Sequence, residues 1–400
     1  MLPYSGLRVI ELAGDPGGEH VGKLLADLGA DVVKVEPEEG SPTRRVGPFA
    51  GDEEGHDRSL TFWYHNTGKR SVVLDDQDDL ALLLTDADVL ISTMRPAELA
   101  AAGLDLDLVR VLHPRLVVLS VTPFGLTGPW ADYRSSDLVA LAAGGLLNSC
   151  GYDDHSIPPI RPGGDQGYQT AASFAHNGLL LALIDRQRTG QGQLVDVSMH
   201  EAIAVTVELA NPYWFYPKVL VQRQTCRHAQ PSMTQPALFR CQDDRWVYFV
   251  LIVAEPKAWQ ATVEWLDALG LAADLTDPEW SEVSFRQERF SHVQELMEVL
   301  FLLQDADEAY REGQRRGLPI GILNAPEDVL VDEHLLARGF FVDVEHDGVG
   351  VVRYPGVPYR LSGFSLPELT RAPGLGEHSH MVLREQHDEV LDGSAVDVAL

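Results

Sequence analysis

Four short apolar runs punctuate the first hundred residues: Leu7–Leu12, Val32–Glu36, Ser71–Leu74 and Val89–Ser92, each followed within a few residues by Gly, Asp or Pro. A fifth, Leu116–Val121 (LVVLSV), is almost wholly apolar, as expected of a strand covered on both faces. Between the first two runs, Val21, Leu24, Leu25 and Leu28 recur at helical spacing, and Gly29 stops the pattern. Strand, turn and helix therefore alternate. That order predicts an α/β fold with a doubly wound parallel sheet, whose strand ends build ligand crevices.

The alternation continues through Asp137–Leu147, a helix over about Gln169–Gln187, the turn Arg188–Gln193 and a strand at Leu194–Val197. Tyr213–Gln235 has aromatics, Pro and mixed polar residues without a period, and reads as a linker. Pro236–Ile252 alternates around Asp243–Asp244 like a hairpin, with helical patterns at Pro256–Leu269 and Ser291–Leu302. Near Gly317 the chain turns back through a strand, a turn and a helix ended by Gly339. The expected layout is a large α/β domain over 1–212, a linker over 213–235, a smaller α+β domain over 236–325, and a return to the large domain over 326–400.

A chain of 400 residues with 45% apolar content suits two packed domains. No run nears the length of a membrane span, and the N-terminus lacks the charged-then-apolar layout of a secretory leader. Cys150, Cys226 and Cys241 have no metal-type spacing and cannot all pair, so a reducing cytoplasm and no metal are expected. A formal charge of −29 argues against nucleic acid or an anionic membrane as partner. Against that background Lys34, Arg44, Arg45, Lys69, Arg70 and Arg95 all follow predicted strands. They form either a basic crevice or scattered surface cations.

Gly17–Lys23 (GGEHVGK) has the glycine and lysine spacing of a phosphate loop, but Leu24 stands where Ser or Thr must hold a metal. No GxGxxG follows the first strand, which weakens a nicotinamide reading. The turn Ala13–Gly18 (AGDPGG) still permits close backbone approach and offers free N–H groups at a helix start. An ordinary β–α turn fits it equally.

These blocks, together with NTGKRS, TMRP, RQRTGQGQ, GLPIGILNAPEDVLVDEHLLARGFF and RAPGLGEH, occur in one order that resembles the family III CoA-transferases. That group includes formyl-CoA and carnitine CoA-transferases and related acyl-CoA racemases. The resemblance implies a Rossmann-like large domain built from both chain ends, a smaller inserted domain, and an interlocked homodimer, or a pairing with a homologue. It implies coenzyme A, as an acyl-CoA substrate, and a small carboxylic acid as the second substrate. Carried over position by position, the CoA-binding residues are Asp15 and Pro16 in the first turn, Arg44 and Arg45, and Lys69 and Arg70 before the third strand. Thr93, Met94 and Arg95 stand where the family has Asn-Phe-Arg, and Arg134 where a Lys or Arg reaches the CoA phosphates.

In the family an Asp near the start of the helix before the R-x-R-T-G turn attacks the acyl-CoA. A mixed anhydride forms, and successive exchanges pass CoA to the acceptor acid. Counted back from Gly178, that position holds Tyr168, which cannot form the anhydride. Asp165, three residues earlier in a Gly-rich stretch, is the expected nucleophile, with Asp137 a second carboxylate in reach. Asp165 is equally suited to capping a helix. A two-base racemase is disfavoured, because Ser136 occupies the place of its His, and neither His200 nor His228 lies in a motif. The expected activity is transfer of CoA between an acyl-CoA and a carboxylic acid. The alternatives are an isomerase, hydrolase or lyase of changed chemistry, or a non-catalytic acyl-CoA-binding subunit.

Overall fold

The computed structural model describes residues 2–74, 77–207, 210–251 and 253–391. Ile252, at the end of the expected hairpin, and residues 392–400 of the expected C-terminal return lie outside them. A six-stranded parallel sheet is formed by β1 (Arg8–Leu12), β2 (Asp31–Glu36), β3 (Arg70–Val73), β4 (Val89–Ser92), β5 (Val117–Thr122) and β6 (Leu194–Ser198). Their spatial order is β3-β2-β1-β4-β5-β6. The order reverses between β1 and β4, and such a switch point opens a crevice beyond the C-terminal strand ends.

Both sheet faces are buried, which explains the near-continuous apolar strands. On one face Val9, Val32, Val89, Ile91 and Leu119 pack with Val21 and Leu25 of the helix Pro16–Ala26 and with Ala171, Ala175 and Leu179 of the helix Gln166–Thr189. On the other, Ile10, Val33, Leu90 and Val118 meet Leu83, Leu99, Val109 and Val382. The α/β architecture with a parallel sheet and smaller antiparallel sheets is therefore as the strand pattern predicts.

Two compact units divide the described residues. The first draws on the described residues within 2–147, 161–207 and 336–391, and the second on those within 148–160 and 210–335. In the second, Trp246–Phe249 pairs antiparallel with Leu238–Arg240 and with Ile320–Ile322, over a core that includes Trp265, Leu266 and Phe301. The stretch expected as a linker has structure of its own: the helix Ala210–Phe215 and the paired strands Gln222–Gln224 and Arg227–Gln230. These pieces are too short to show a hydrophobic period; hydrogen bonds such as Thr225 and Arg227 to Asp153 tie them down. Among the described residues no helix is long and apolar enough to cross a membrane.

Candidate active site

The turn after β1 is built by its neighbours. Lys34 Nζ donates to the Ala13 carbonyl at 2.7 Å, and the Gly14 amide donates to Thr93 Oγ1 at 3.0 Å, joining the ends of β1, β2 and β4. Asp15 caps the helix Pro16–Ala26, its Oδ1 accepting from the Gly17 and Gly18 amides at 2.9 and 3.2 Å. Gly18 is required here: a β-carbon would stand 2.3 Å from Thr93 Cγ2. Above this turn lies a crevice of about 920 Å³, lined by Leu12–Asp15, Thr93–Arg95, Glu36, Glu98, Arg134 and Tyr168 among others. Burial pushes the Asp15 carboxyl up to about 6, with Glu19 adding to the rise against the two amides.

Thus Asp15, Thr93, Met94, Arg95, Arg134 and Tyr168 come together on one crevice. Pro16 is the first residue of the helix below it. Tyr168 lies in the first turn of the helix Gln166–Thr189, and burial, with Asp15, Asp137 and Asp165 nearby, drives its hydroxyl well above the usual tyrosine range.

The two carboxylates expected to serve catalysis lie elsewhere. Asp137 is buried, its Oδ1 accepting from the Gly167 amide at 2.7 Å and its Oδ2 from Arg161 Nε at 2.9 Å. It supplies the helix Gln166–Thr189 with the cap that Asp165 does not. Asp165 has φ 50°, a left-handed conformation uncommon outside Gly and Asn, and pairs with Arg161. Neither residue is among those lining the crevice. Arg161, which bridges them, carries no sequence motif and was not foreseen.

Three of the expected phosphate-binding cations have other duties. Lys69 is buried, and its ammonium spends all three donors on Glu11 Oε2 (2.7 Å), the Glu19 carbonyl (2.7 Å) and Asn66 Oδ1 (2.9 Å). Arg44 is buried with its guanidinium on Glu36, Asp57 and the carbonyls of His56 and Pro373, stacked on Phe62. Arg70 pairs with Asp31 and Glu385. Lys69 and Arg44 turn into the fold because the buried carboxylates of Glu11 and Glu36 await them, whereas Arg70 stays near the surface on Asp31 and Glu385. Arg45 is exposed, bonded to the Glu39 carbonyl at 2.8 Å and outside the crevice lining. Arg95 and Arg134 remain at the crevice. Arg95 is held by Glu98 at 2.5 Å, and no ion pair of Arg134 is formed among the described residues. Both cations line the crevice.

Known proteins of similar sequence and fold identify the family of the chain. The model of CoA-transferase family III matches residues 4–379. The chain is 33% identical to succinyl-CoA:(R)-benzylsuccinate CoA-transferase subunit BbsE of Thauera aromatica, covering 96% of this chain and 94% of the relative. It is 31% identical to acetyl-CoA:oxalate CoA-transferase of Acetobacter aceti, over 96% and 95% of the two chains. It is 30% identical to the alpha subunit of succinyl-CoA–L-malate CoA-transferase of Chloroflexus aurantiacus, over 99% and 91%. Among solved structures, a CAIB/BAIF family protein from Brucella suis superposes with a TM-score of 0.82 at 26% identity, over 96% of this chain and 99% of that one. With the strand order, the crevice and the full-length match in agreement, the chain belongs to CoA-transferase family III.

Proposed function

We propose that this chain moves CoA from an acyl-CoA to a small carboxylic acid, through an anhydride formed on a carboxylate of the protein. The observation that carries the reading is the crevice at the sheet's switch point, where two cations, a helix start and a carboxylate face one ligand-sized space. Arg95 and Arg134 would hold CoA phosphates, and the turn Ala13–Pro16 would lie against the thioester. Donors named for relatives include succinyl-CoA and acetyl-CoA, so these are the first to try. Family membership supports a dimer, with a second copy or with a homologous chain.

The test is exchange followed by mass: the purified protein with succinyl-CoA or acetyl-CoA and a panel of carboxylic acids, read for new CoA thioesters. New thioesters support the reading; free CoA alone indicates a hydrolase, and an unchanged donor across the panel sinks it. One observation favours a second reading, an acyl-CoA-binding subunit that needs an active homologue. Tyr168 faces the crevice while Asp165 is tied to Arg161 outside it, and two relatives are named as subunits. Exchange that starts only when a homologous chain is added would favour that reading.

A further inference from the structure

Three carboxylates line the crevice, and two of them are fully occupied. Glu36 accepts from Arg44 through both oxygens, and also from Ser71 Oγ and the Ser41 amide. Glu98 accepts from the Arg95 side chain with one oxygen and from the Arg95 amide with the other. Asp15 differs. Both amide bonds fall on Oδ1 and Oδ2 takes part in neither, and among the described residues the Thr93 hydroxyl is the one further group that bonds the carboxyl, lowering it slightly against the effect of burial. Asp137 and Asp165 lie outside the lining, each bound to Arg161.

We propose that Asp15 is the carboxylate that receives the acyl group, in place of Asp165. This inference rests on the CoA-transfer reading above. Asp15 Oδ2 attacks the thioester carbonyl carbon; a C–O bond forms, the C–S bond breaks, and CoA thiolate leaves with the electron pair. The thiolate then attacks the Asp15 carbonyl carbon, releasing the donor acid and leaving an Asp15 thioester. The acceptor carboxylate attacks that thioester, freeing the thiolate once more, and the thiolate takes the acceptor's acyl group and restores Asp15. No proton is gained or lost overall.

Local geometry suits the second and third steps. When the Asp15 carbonyl is attacked, Oδ1 becomes an oxyanion, and two amides at the start of a helix already point at it, 2.9 and 3.2 Å away. The carboxyl is poised near neutrality, which favours nucleophilicity over a strongly acidic group. Tyr168 stands beside it and screens the intermediates from water.

The experiment uses the whole protein with succinyl-CoA and an acceptor found by the exchange screen, and hydroxylamine as trap. Hydroxylamine converts an acyl-carboxylate or thioester on the protein to a hydroxamate, which peptide mass mapping locates. We expect the hydroxamate on Asp15. Asn accepts the same two amide bonds at a helix start, so Asp15→Asn should fold and bind CoA within about twofold of the parent, yet lose exchange by about 10⁴-fold. A hydroxamate on Asp165 overturns the assignment, and so does an Asp15→Asn protein that exchanges at the parent rate. Asp165→Asn, which weakens one of the two ion pairs of Arg161 and leaves its bond to Asp137 and the crevice intact, should retain exchange. A parent that shows no exchange defeats the CoA-transfer reading itself, and this inference with it.

Discussion

Tyr168 and Asp15 close on the same small gap: Tyr168 Cδ1 and Asp15 Oδ1 each lie 3.1 Å from the point where a β-carbon on Gly17 would sit. A ring from one helix start and a carboxylate from another thus share one wall of the crevice, and a side chain at Gly17 would press on both. The ring stands on one side of the gap and the carboxylate on the other.

The ring's role is separable from its hydroxyl. Burial keeps the Tyr168 hydroxyl protonated far beyond neutral pH, so it does not act as a base. Tyr168→Phe should therefore retain exchange within about threefold of the parent. Tyr168→Ala opens the wall to water, and the expected outcome is a rise in acyl-CoA hydrolysis relative to transfer, read as free CoA per exchanged thioester. An unchanged ratio in Tyr168→Ala contradicts the screening role.

Arg95 and Arg134 are the crevice cations, so each change to Gln should weaken CoA binding by about fivefold, as ~1 kcal/mol from a solvent-accessible contact implies. The loss should shrink as salt rises from about 0.05 to 0.5 M, because exposed charges are screened. Titration calorimetry at the two salt concentrations checks both points. Equal affinity in the Arg95→Gln, Arg134→Gln double variant would remove the phosphates from this wall.

How much of this was readable beforehand follows from which forces act locally. The strands Val89–Ser92 and Val117–Thr122 are legible because a buried parallel strand is a short apolar run with breakers around it. The crevice turn was readable through its glycines and helix start. Arg44 and Lys69 were not legible because nothing in a sequence tells whether a cation in a turn beside a strand points inward. Glu11 and Glu19, the partners of Lys69, are distant in sequence and only the fold brings them within reach, while Glu36 lies eight residues before Arg44 with nothing local to mark the pairing. Asp137 was visible as a carboxylate, but its bond to the Gly167 amide, thirty residues on, needed the helix packing.

Lys69 should thus matter for folding and little for CoA. Lys34 pairs with Glu11 at 3.1 Å and with Glu19 at 2.9 Å, and Lys69 with Glu11 at 2.7 Å, all four side chains fully buried. Lys69→Met leaves part of that acidic charge uncompensated and should cost about 3–5 kcal/mol in denaturant unfolding. Gly22→Ala should be comparably harmful, since its β-carbon would sit 1.7 Å from Glu11 Oε2. A Lys69→Met protein of parental stability and weakened CoA binding would return this residue to the phosphate site.

A buried histidine, His65, and a half-buried one, His20, weaken the fold in acid. The His20 and His65 rings meet edge to face at 5.4 Å, and the Nδ1 of each is buried without a hydrogen-bond partner among the described residues. Burial, with Lys23 and Lys69 close to both, pushes each down to about 3. The native state therefore binds fewer protons than the unfolded chain between about 3 and the ordinary value of 6.5. Stability must rise with pH across that window and be lost as pH falls from about 6.5, at up to about 1.4 kcal/mol per pH unit for each ring. His65→Leu should reduce the slope of unfolding free energy between pH 7 and pH 5. A slope equal to the parent's would show that His65 is not buried neutral.

Asp15 has the opposite sign, and that separates chemistry from unfolding. Its carboxyl is pushed up to about 6, above the ordinary 3.8, so the native state binds more protons here than the unfolded chain between those values. Lowering the pH through about 6 therefore stabilises the fold at this position while it removes the carboxylate. If Asp15 is the nucleophile, exchange should fall tenfold for each pH unit below about 6, in protein that circular dichroism shows to be still folded. A carboxylate of ordinary acidity would hold the rate nearly flat to about pH 5. Exchange measured at saturating substrate from pH 8 to pH 5, with the folded fraction recorded at each point, distinguishes the two. A flat profile over that range would assign the acyl group to a carboxylate other than Asp15.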